Sequence, residues 1–446
     1  MIFKRRLYQE LLQWKQSGYR KPLVIRGARQ VGKSTLVRAF SKEYKSFVEL
    51  NLERADDAKF FELGSVKDII NAISLRENKV FNSETLLFID EIQEAPNAIK
   101  LLRFFYEDFP NLHVICAGSL LEFAMKNLST FPVGRVQQMV LHPLDFEEFL
   151  IAKGNKNIVA LFDELPLQDF SHEVILKQFH EYAIIGGMPE VVKIYIQNNS
   201  MIGLNQVYDD IWQAYKDDIE KYGKNDSERK ILRHIVNTAP NETDRITMAR
   251  FGHSNYKSRE VGEAFQALQK SRLIQLIYPT ISCQPPVQVD YKRKPRLQFL
   301  DSGLLNHALG IQFQLVGLNN LSDFYRGRII QHLVFQQLQA QTISLDDGLH
   351  FWVREKTNSN AEVDLIYSCG KYLIPVEVKA GAQGRLRSLH QFVEQANHSF
   401  AIRVLSNKIS IEKVTTPEGK AFTLLNLPYY LSTRIPQYAH WLINKA

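Results

Sequence analysis

Pro22-Leu-Val-Ile-Arg-Gly-Ala-Arg-Gln-Val-Gly-Lys-Ser-Thr35 is the stretch on which the reading of this chain turns. Leu23-Val-Ile25 predicts a short apolar strand, and Thr35–Phe40 predicts the body of an amphipathic helix. Between them, Gly27-Ala28-Arg29-Gln30-Val31-Gly32-Lys33-Ser34 fits G-x-x-x-x-G-K-[ST], the spacing of a phosphate-binding loop. Glycines at both ends let the backbone curl until several N–H groups face one anion, and the helix that follows adds its positive end. Lys33 can reach the terminal phosphates of a nucleotide, and the Ser34 hydroxyl can hold Mg2+. A chance match in a glycine-containing turn would lack the strand before and the helix after. Residues Gly27 to Thr35 are therefore the expected nucleotide-binding segment.

Working outward, Tyr8–Trp14 reads as a helix ahead of the loop. Ser46–Leu52 reads as a second strand and Val66–Leu75 as a helix. Thr85-Leu-Leu-Phe-Ile-Asp90-Glu91 is an apolar strand ending in two carboxylates. Asn97–Glu107 is helical, and Leu112–Ser119 is a further strand. Alternating apolar strands and helices argue for a parallel sheet covered on both faces. Ligands of such sheets sit at the carboxyl ends of the strands, where Lys33, Asp90 and Ser119 would meet. An Asp closing a buried strand can hold Mg2+ beside Ser34, and the next carboxylate can orient or deprotonate an attacking water.

The 446 residues exceed what one core supports, so two to four domains are expected. Net charge is +7, compatible with nucleic acid but equally with a solvated basic surface. Cys116, Cys283 and Cys369 lack metal-ligand or disulfide spacing and suggest buried thiols in a reducing compartment. The basic start Met1-Ile-Phe-Lys-Arg-Arg6 lacks the apolar core of a signal peptide, and no run reaches the length of a membrane span. A cytoplasmic location with no membrane partner is expected.

Gly27–Ser34, Phe88-Ile-Asp-Glu-Ile-Gln93 and Ala117-Gly-Ser119 resemble the Walker A, Walker B and sensor elements of AAA-type ATPases. More narrowly, the chain resembles a prokaryotic AAA ATPase family carrying a nuclease-like carboxyl-terminal domain. The resemblance implies that Glu91 is the catalytic carboxylate and that Ser119 senses the γ-phosphate. Arg135, in Phe131-Pro-Val-Gly-Arg135, resembles the position from which AAA proteins project an arginine into a neighbour's site. Either it serves that role, implying a homo-oligomer, or it is a surface arginine. The implied fold class is α/β. A P-loop parallel-sheet core (residues 1–150) is followed by a helical lid (151–224) and a winged-helix-like module (225–283). A linker (284–322) then leads to a PD-(D/E)XK, restriction-endonuclease-like α/β domain (323–446).

Within the middle of the chain, Ile185-Gly-Gly-Met-Pro189 reads as a tight turn opening a helix, and Val207–Glu220 as a long helix. Helices over Glu228–Thr238, Thr247–Phe251 and from Ser254 or Ser258 to Leu273 give the winged-helix pattern. Lys257 and Arg259 would then sit near the start of a recognition helix, or else on a solvated face of a packing module. Asp290-Tyr-Lys-Arg-Lys-Pro-Arg296 is either a phosphate-contacting cluster or a basic turn. Asp301-Ser-Gly-Leu-Leu305 resembles a family signature to which residue chemistry assigns no task.

A helix over Gly327–Gln339 precedes strands at Leu349–Val353, Ala361–Tyr367 and Tyr372–Lys379. Asp364, Glu377 and Lys379 fall on the PD-(D/E)XK motif positions. Two carboxylates suit Mg2+ or Mn2+, and the ammonium on the same strand face as Glu377 can stabilise charge on a phosphodiester. Related nucleases carry a Glu on the first helix, where this chain has Gln331, an amide without charge. Leu386–Asn397 and Phe400–Leu405 close the α/β unit. Two readings follow. One is an ATP-driven protein whose last domain binds, and perhaps cuts, nucleic acid, DNA rather than RNA. The other is a non-nucleolytic signalling or scaffold ATPase whose last domain recognises a partner.

Overall fold

The computed structural model describes residues 2–119, 121, 132, 134–242, 244–315, 328–344, 348–356, 359–381 and 386–445. The expected boundary at 322/323, the helix start at Gly327, and Phe131 and Val133 ahead of Arg135 lie outside them. The chain divides into two compact units. The first is Met1–Pro143 with Lys270–Leu273 and Thr342–Asp346, and the second holds the remainder. No helix among the described residues is long and apolar enough to cross a membrane.

In the first unit, β1 (Leu23–Arg26), β2 (Ser46–Asn51), β3 (Thr85–Asp90), β4 (His113–Ala117) and β5 (Gln137–Val140) form one sheet in the order β2-β3-β4-β1-β5. Every pair is parallel. Side chains alternate across the strands, so both faces must be covered. Val48, Leu50, Leu87, Ile89, Val114 and Cys116 pack against one stripe each of the Val66–Glu77 and Pro96–Asp108 helices. Ser65 caps the first of these by accepting from the Asp68 N–H, and Pro96 starts the second. Beyond the outer strand, the Val140 N–H donates to the Ile343 carbonyl at 3.0 Å, so the returning segment covers that edge.

The second unit is built partly of helices, among them His172–Ile185, Pro189–Asn198, Leu204–Tyr222, Asp226–Thr238 and Ser258–Ser271. Its strands are β6 (Ile274–Ile277), β7 (Pro279–Thr280), β8 (Arg296–Phe299), β9 (His350–Lys356), β10 (Ser359–Cys369), β11 (Tyr372–Val378), β12 (Phe400–Leu405), β13 (Ser410–Thr415) and β14 (Ala421–Pro428). β6 and β8 form an antiparallel pair, and the others a mixed sheet ordered β13-β14-β12-β11-β10-β9-β7. Leu389, Phe392 and Val393 of the Arg387–Gln395 helix pack on Trp352, Val363, Ile366 and Leu373. The expected second short helix at Thr247–Phe251 is instead a turn leading to a 3-10 turn at Phe251–His253.

The glycine turn Ile185-Gly-Gly and the Asp301-Ser-Gly signature left without a task meet each other in this unit. Asp301 is fully buried and caps the Ser302–Ala308 helix, its Oδ1 accepting from the Leu304 N–H at 3.1 Å. Its Oδ2 accepts from the Gly187 N–H at 2.6 Å and from Gln336 Nε2 at 3.2 Å. Tyr208 donates to the Ile185 carbonyl at 2.6 Å, and Asn306 Nδ2 to the Ala183 carbonyl at 2.9 Å. A Cβ on Gly303 would lie 2.0 Å from the Ile185 carbonyl oxygen, so only glycine allows this approach. Gly303→Ala should therefore lower the unfolding stability of the full-length protein by about 2–3 kcal/mol in urea titration. Gly262→Ala, in the Ser258–Ser271 helix with open space around the added methyl, should be neutral or up to about 1 kcal/mol stabilising.

Candidate nucleotide site and a carboxylate centre

Because β4 lies between β1 and β3, the loops after these three strands open side by side at the carboxyl edge of the first sheet. The loop after β1 holds Gly27 at φ 147°, Gln30 at 62° and Gly32 at 95°, and the Lys33–Phe40 helix begins directly after it. A Cβ on Gly27 would lie 2.3 Å from the Leu141 carbonyl oxygen, so its backbone has no room for a side chain. Lys33 is buried and donates to the Gly27 and Ala28 carbonyls at 3.1 and 2.8 Å. Burial lowers its pKa to about 8, against the pull of Glu91 and Asp90. Ala28 and Val31 are buried, Arg29 is half-buried, and Gln30 and Thr35 are exposed.

Asp90, at the end of β3, accepts from the Ser34 hydroxyl, and its Oδ1 from the Glu91 N–H at 3.1 Å. Burial nevertheless raises its pKa. A hydroxyl beside a carboxylate at the start of a helix is the hard-oxygen pair that suits Mg2+, so these residues fit that ion. Glu91 turns out of the strand at φ 49°, ψ 46°, a left-handed conformation that is costly for a residue with a Cβ. Its Oε2 accepts from Gln93 Nε2 at 2.7 Å. A Cβ on Gly118 would lie 2.2 Å from Gln93 Oε1, so Gln93 lies against the segment that carries Ser119. The structure thus brings Lys33, Ser34, Asp90 and Glu91 together, with Ser119 two residues beyond the end of neighbouring β4.

The sequence reading gave two residues no role. Gln93 stood only as the last residue of the Walker-B-like stretch. Arg5, in the basic amino-terminal run, is buried and donates to the Val31 carbonyl at 2.9 Å and to the His142 carbonyl at 2.5 Å. It braces the phosphate loop from behind, and no spacing rule marks such a role. Arg135 is not brought to this cluster. It precedes β5, which runs parallel to β1, and so sits at the opposite edge of the sheet from Lys33. There its Nε lies 3.0 Å from Glu107 Oε1, an oxygen shared with Arg103.

In the second unit a β-bulge between Val363 and Ile366 interrupts the pairing of β10 with β9 and re-aims Asp364. The register of β10 with β11 runs from Cys369 against Tyr372 to Leu365 against Val376, and the next residues, Asp364 and Glu377, lie close enough for their carboxylates to interact. Asp364 Oδ2 accepts from the Val378 N–H at 2.8 Å and Oδ1 from Gln331 Nε2 at 3.1 Å. Arg296 places Nη2 3.4 Å from Asp364 Oδ1, pairs with Glu362, and donates from Nη1 to the Asp364 carbonyl at 3.3 Å. Lys379 Nζ lies 2.5 Å from Glu377 Oε1. Burial, then the Asp364 carboxylate, pushes Glu377 up to about 7. Arg245 and Arg293 pair with Glu355, and Arg245 also with Glu362. Half of the basic run 290–296 is therefore turned inward onto carboxylates, leaving Lys292 and Lys294 exposed. The phosphate-contact reading of the whole run does not hold for Arg293 and Arg296.

Three segments of the chain match known domain families. Residues 176–315 and 326–430 match two domains of unknown function, DUF8612 and DUF4143. An uncharacterized protein of Haemophilus influenzae is 25% identical over 364 residues, covering 78% of this chain and 81% of its own. Among solved structures, a Walker-type ATPase of Pyrococcus abyssi aligns over 69% of this chain and 96% of its own, at 16% identity and a TM-score of 0.44. The ORC1 protein of Aeropyrum pernix, solved in complex with DNA, aligns over 68% and 90%, at 14% identity and a TM-score of 0.27. Residues 19–150 match the AAA domain family AAA_14, and this segment, with its phosphate loop and parallel sheet, is an AAA-type, ATPase-like P-loop domain.

Proposed function

We propose that the protein binds and hydrolyses ATP in its first unit and uses the cycle to change the state of its second. The observation that carries this reading is the Ser34–Asp90 hydrogen bond with Glu91 immediately beside it. Lys33 would exchange its two loop carbonyls for the β- and γ-phosphates, and the backbone N–H groups from Gly27 to Thr35 would hold the remaining phosphate oxygens. Ser34 and Asp90 would hold Mg2+, which when bound supplies charge neutralisation on the phosphates. Glu91 would orient and deprotonate water once Gln93 releases its Oε2, and Ser119 would contact the γ-phosphate. Arg135, at the far edge of the sheet, could complete a site only in a neighbouring copy. Coupling between the units is supported by the chain path, which re-enters the first unit at Lys270–Leu273 and again at Thr342–Asp346.

For the second unit, the reading is a module that binds nucleic acid or a protein partner under control of the nucleotide. The helices Asp226–Thr238 and Ser258–Ser271 with the β6–β8 pair are compatible with a winged helix. The scaffold alternative is favoured by Gln331, whose amide N–H, rather than an acidic oxygen, faces Asp364. Stimulation of ATP turnover by duplex DNA would support the nucleic-acid reading, and indifference to DNA would favour a protein partner.

Lys33→Ala should abolish nucleotide-dependent turnover, lowering kcat by about 10²–10³-fold. Glu91→Gln should slow turnover by about 10²–10⁴-fold while leaving ATP affinity intact, as read by fluorescent-nucleotide binding. Turnover unaffected by Lys33→Ala refutes the proposal. Because Lys33 titrates near 8 in the free protein and phosphates favour its charged form, ATP affinity should be flat below about pH 8. Above that pH it should fall by up to about tenfold per unit as the free ammonium loses its proton. The break should vanish in Lys33→Ala.

A further inference from the structure

Two neighbouring carboxylates repel, as Asp364 and Glu377 do, and a buried site tolerates them only with a positive partner or a proton. In metal-dependent nucleic-acid chemistry that partner is a divalent cation, which needs several oxygen ligands with free lone pairs. Asp364 and Glu377 offer few, because the chain's own donors already engage three of their four oxygens. Asp364 Oδ2 is taken by the Val378 N–H and Oδ1 by the Gln331 amide. A carboxylate only accepts, so the Gln331 group facing it is the NH2, which brings no negative charge to a cation where an acidic side chain would. Glu377 Oε1 is taken by Lys379. Only Glu377 Oε2 is buried without a hydrogen-bond partner, and one oxygen is not a cation site. Among the described residues no group of three or more His, Cys, Asp or Glu side chains could hold a metal.

What takes the cation's place is Arg296. Its guanidinium is held against Asp364 by the side chain and by the backbone carbonyl, against Glu362 by an ion pair, and over the Phe351 ring at 4.5 Å. A planar guanidinium on two carboxylates and a ring face is fixed in a way that a surface arginine is not. Neither the bulge that aims Asp364 nor the approach of β8 to β10 could be read from residue spacing. We propose that Arg296, with Gln331, is a built-in counter-ion that replaces the divalent metal of the nuclease-like centre. On this basis the second unit does not bind Mg2+ or Mn2+ at Asp364 and does not cleave phosphodiesters there. The inference concerns this centre alone and stands or falls independently of ATP turnover.

The test is Mn2+ binding to nucleotide-free, full-length protein, followed by electron paramagnetic resonance and thermal shift. An Asp90→Asn background removes the first unit's divalent-ion ligand, and binding is assigned to this centre if it is lost in Asp364→Asn. The protein with Arg296 and Gln331 intact should show no Asp364-dependent Mn2+ binding. The double variant Arg296→Ala/Gln331→Glu should gain it, by roughly tenfold or more in affinity, with Mn2+ raising its unfolding midpoint. Arg296→Gln/Gln331→Glu removes the charge but keeps a longer, polar side chain than alanine, and serves if the alanine form does not fold. Asp364-dependent Mn2+ binding with both residues intact overturns the proposal. So does a folded double variant that binds no more Mn2+ than its parent.

Discussion

A buried carboxylate, Asp301, is the constraint on which the larger unit depends. It receives the N–H of Gly187, the N–H of Leu304 and the amide of Gln336, which belong to three segments far apart in the chain. Burial raises its pKa to about 6 even with these donors in place, so the arrangement costs free energy that only complete hydrogen bonding offsets. The carboxylate therefore admits one packing of the glycine turn on the Ser302–Ala308 helix. Tyr182, which receives Gln336 and Gln337 and donates to the Leu144 carbonyl, extends the same network. Polar groups buried this way specify a unique arrangement more than they add stability.

The two charge centres solve opposite problems with similar residues. In the first unit a cation and two carboxylates converge at the open carboxyl edge of a parallel sheet. Lys33 there donates to loop carbonyls, which are weak substitutes for phosphate oxygens. On the proposed reading, that arrangement receives an anion and its metal. In the second unit each carboxylate oxygen but one already has a donor from the chain itself. The same side-chain types thus give a receptive site in one place and a neutralised one in the other. The difference lies in whether an arginine from a separate strand reaches the acids.

Much of the fold was legible in advance, and the reason is periodicity. The strand–loop–helix around Lys33 and the apolar run closing on Asp90 carry their structure in residues adjacent in sequence. Phe400–Leu405 was recognised at its observed bounds, and Asp226–Thr238 within two residues. Ala421–Pro428 was not recognised, although it lies inside the second sheet between β12 and β13, because its apolar run has no alternation to mark a strand. Asp364, Glu377 and Lys379 were expected together and are together, but the arginine that pairs with Asp364 was not foreseeable. Arg296 comes from 68 residues upstream of Asp364, and no local pattern links them.

By itself, the sequence determined the phosphate loop and the acidic strand end, since glycine torsions, a lysine and a helix start act over a few consecutive residues. It also determined that the chain alternates strands and helices, since burial period follows directly from side-chain order. Tertiary structure alone decided which side chains are spent on one another: Arg5 on the loop, Gln93 on Glu91, Asp301 on the glycine turn and Arg296 on Asp364. These pairings depend on strand order, a bulge and the approach of distant segments. Such distances are set by the packing of the whole unit, and no stretch of residues encodes them alone.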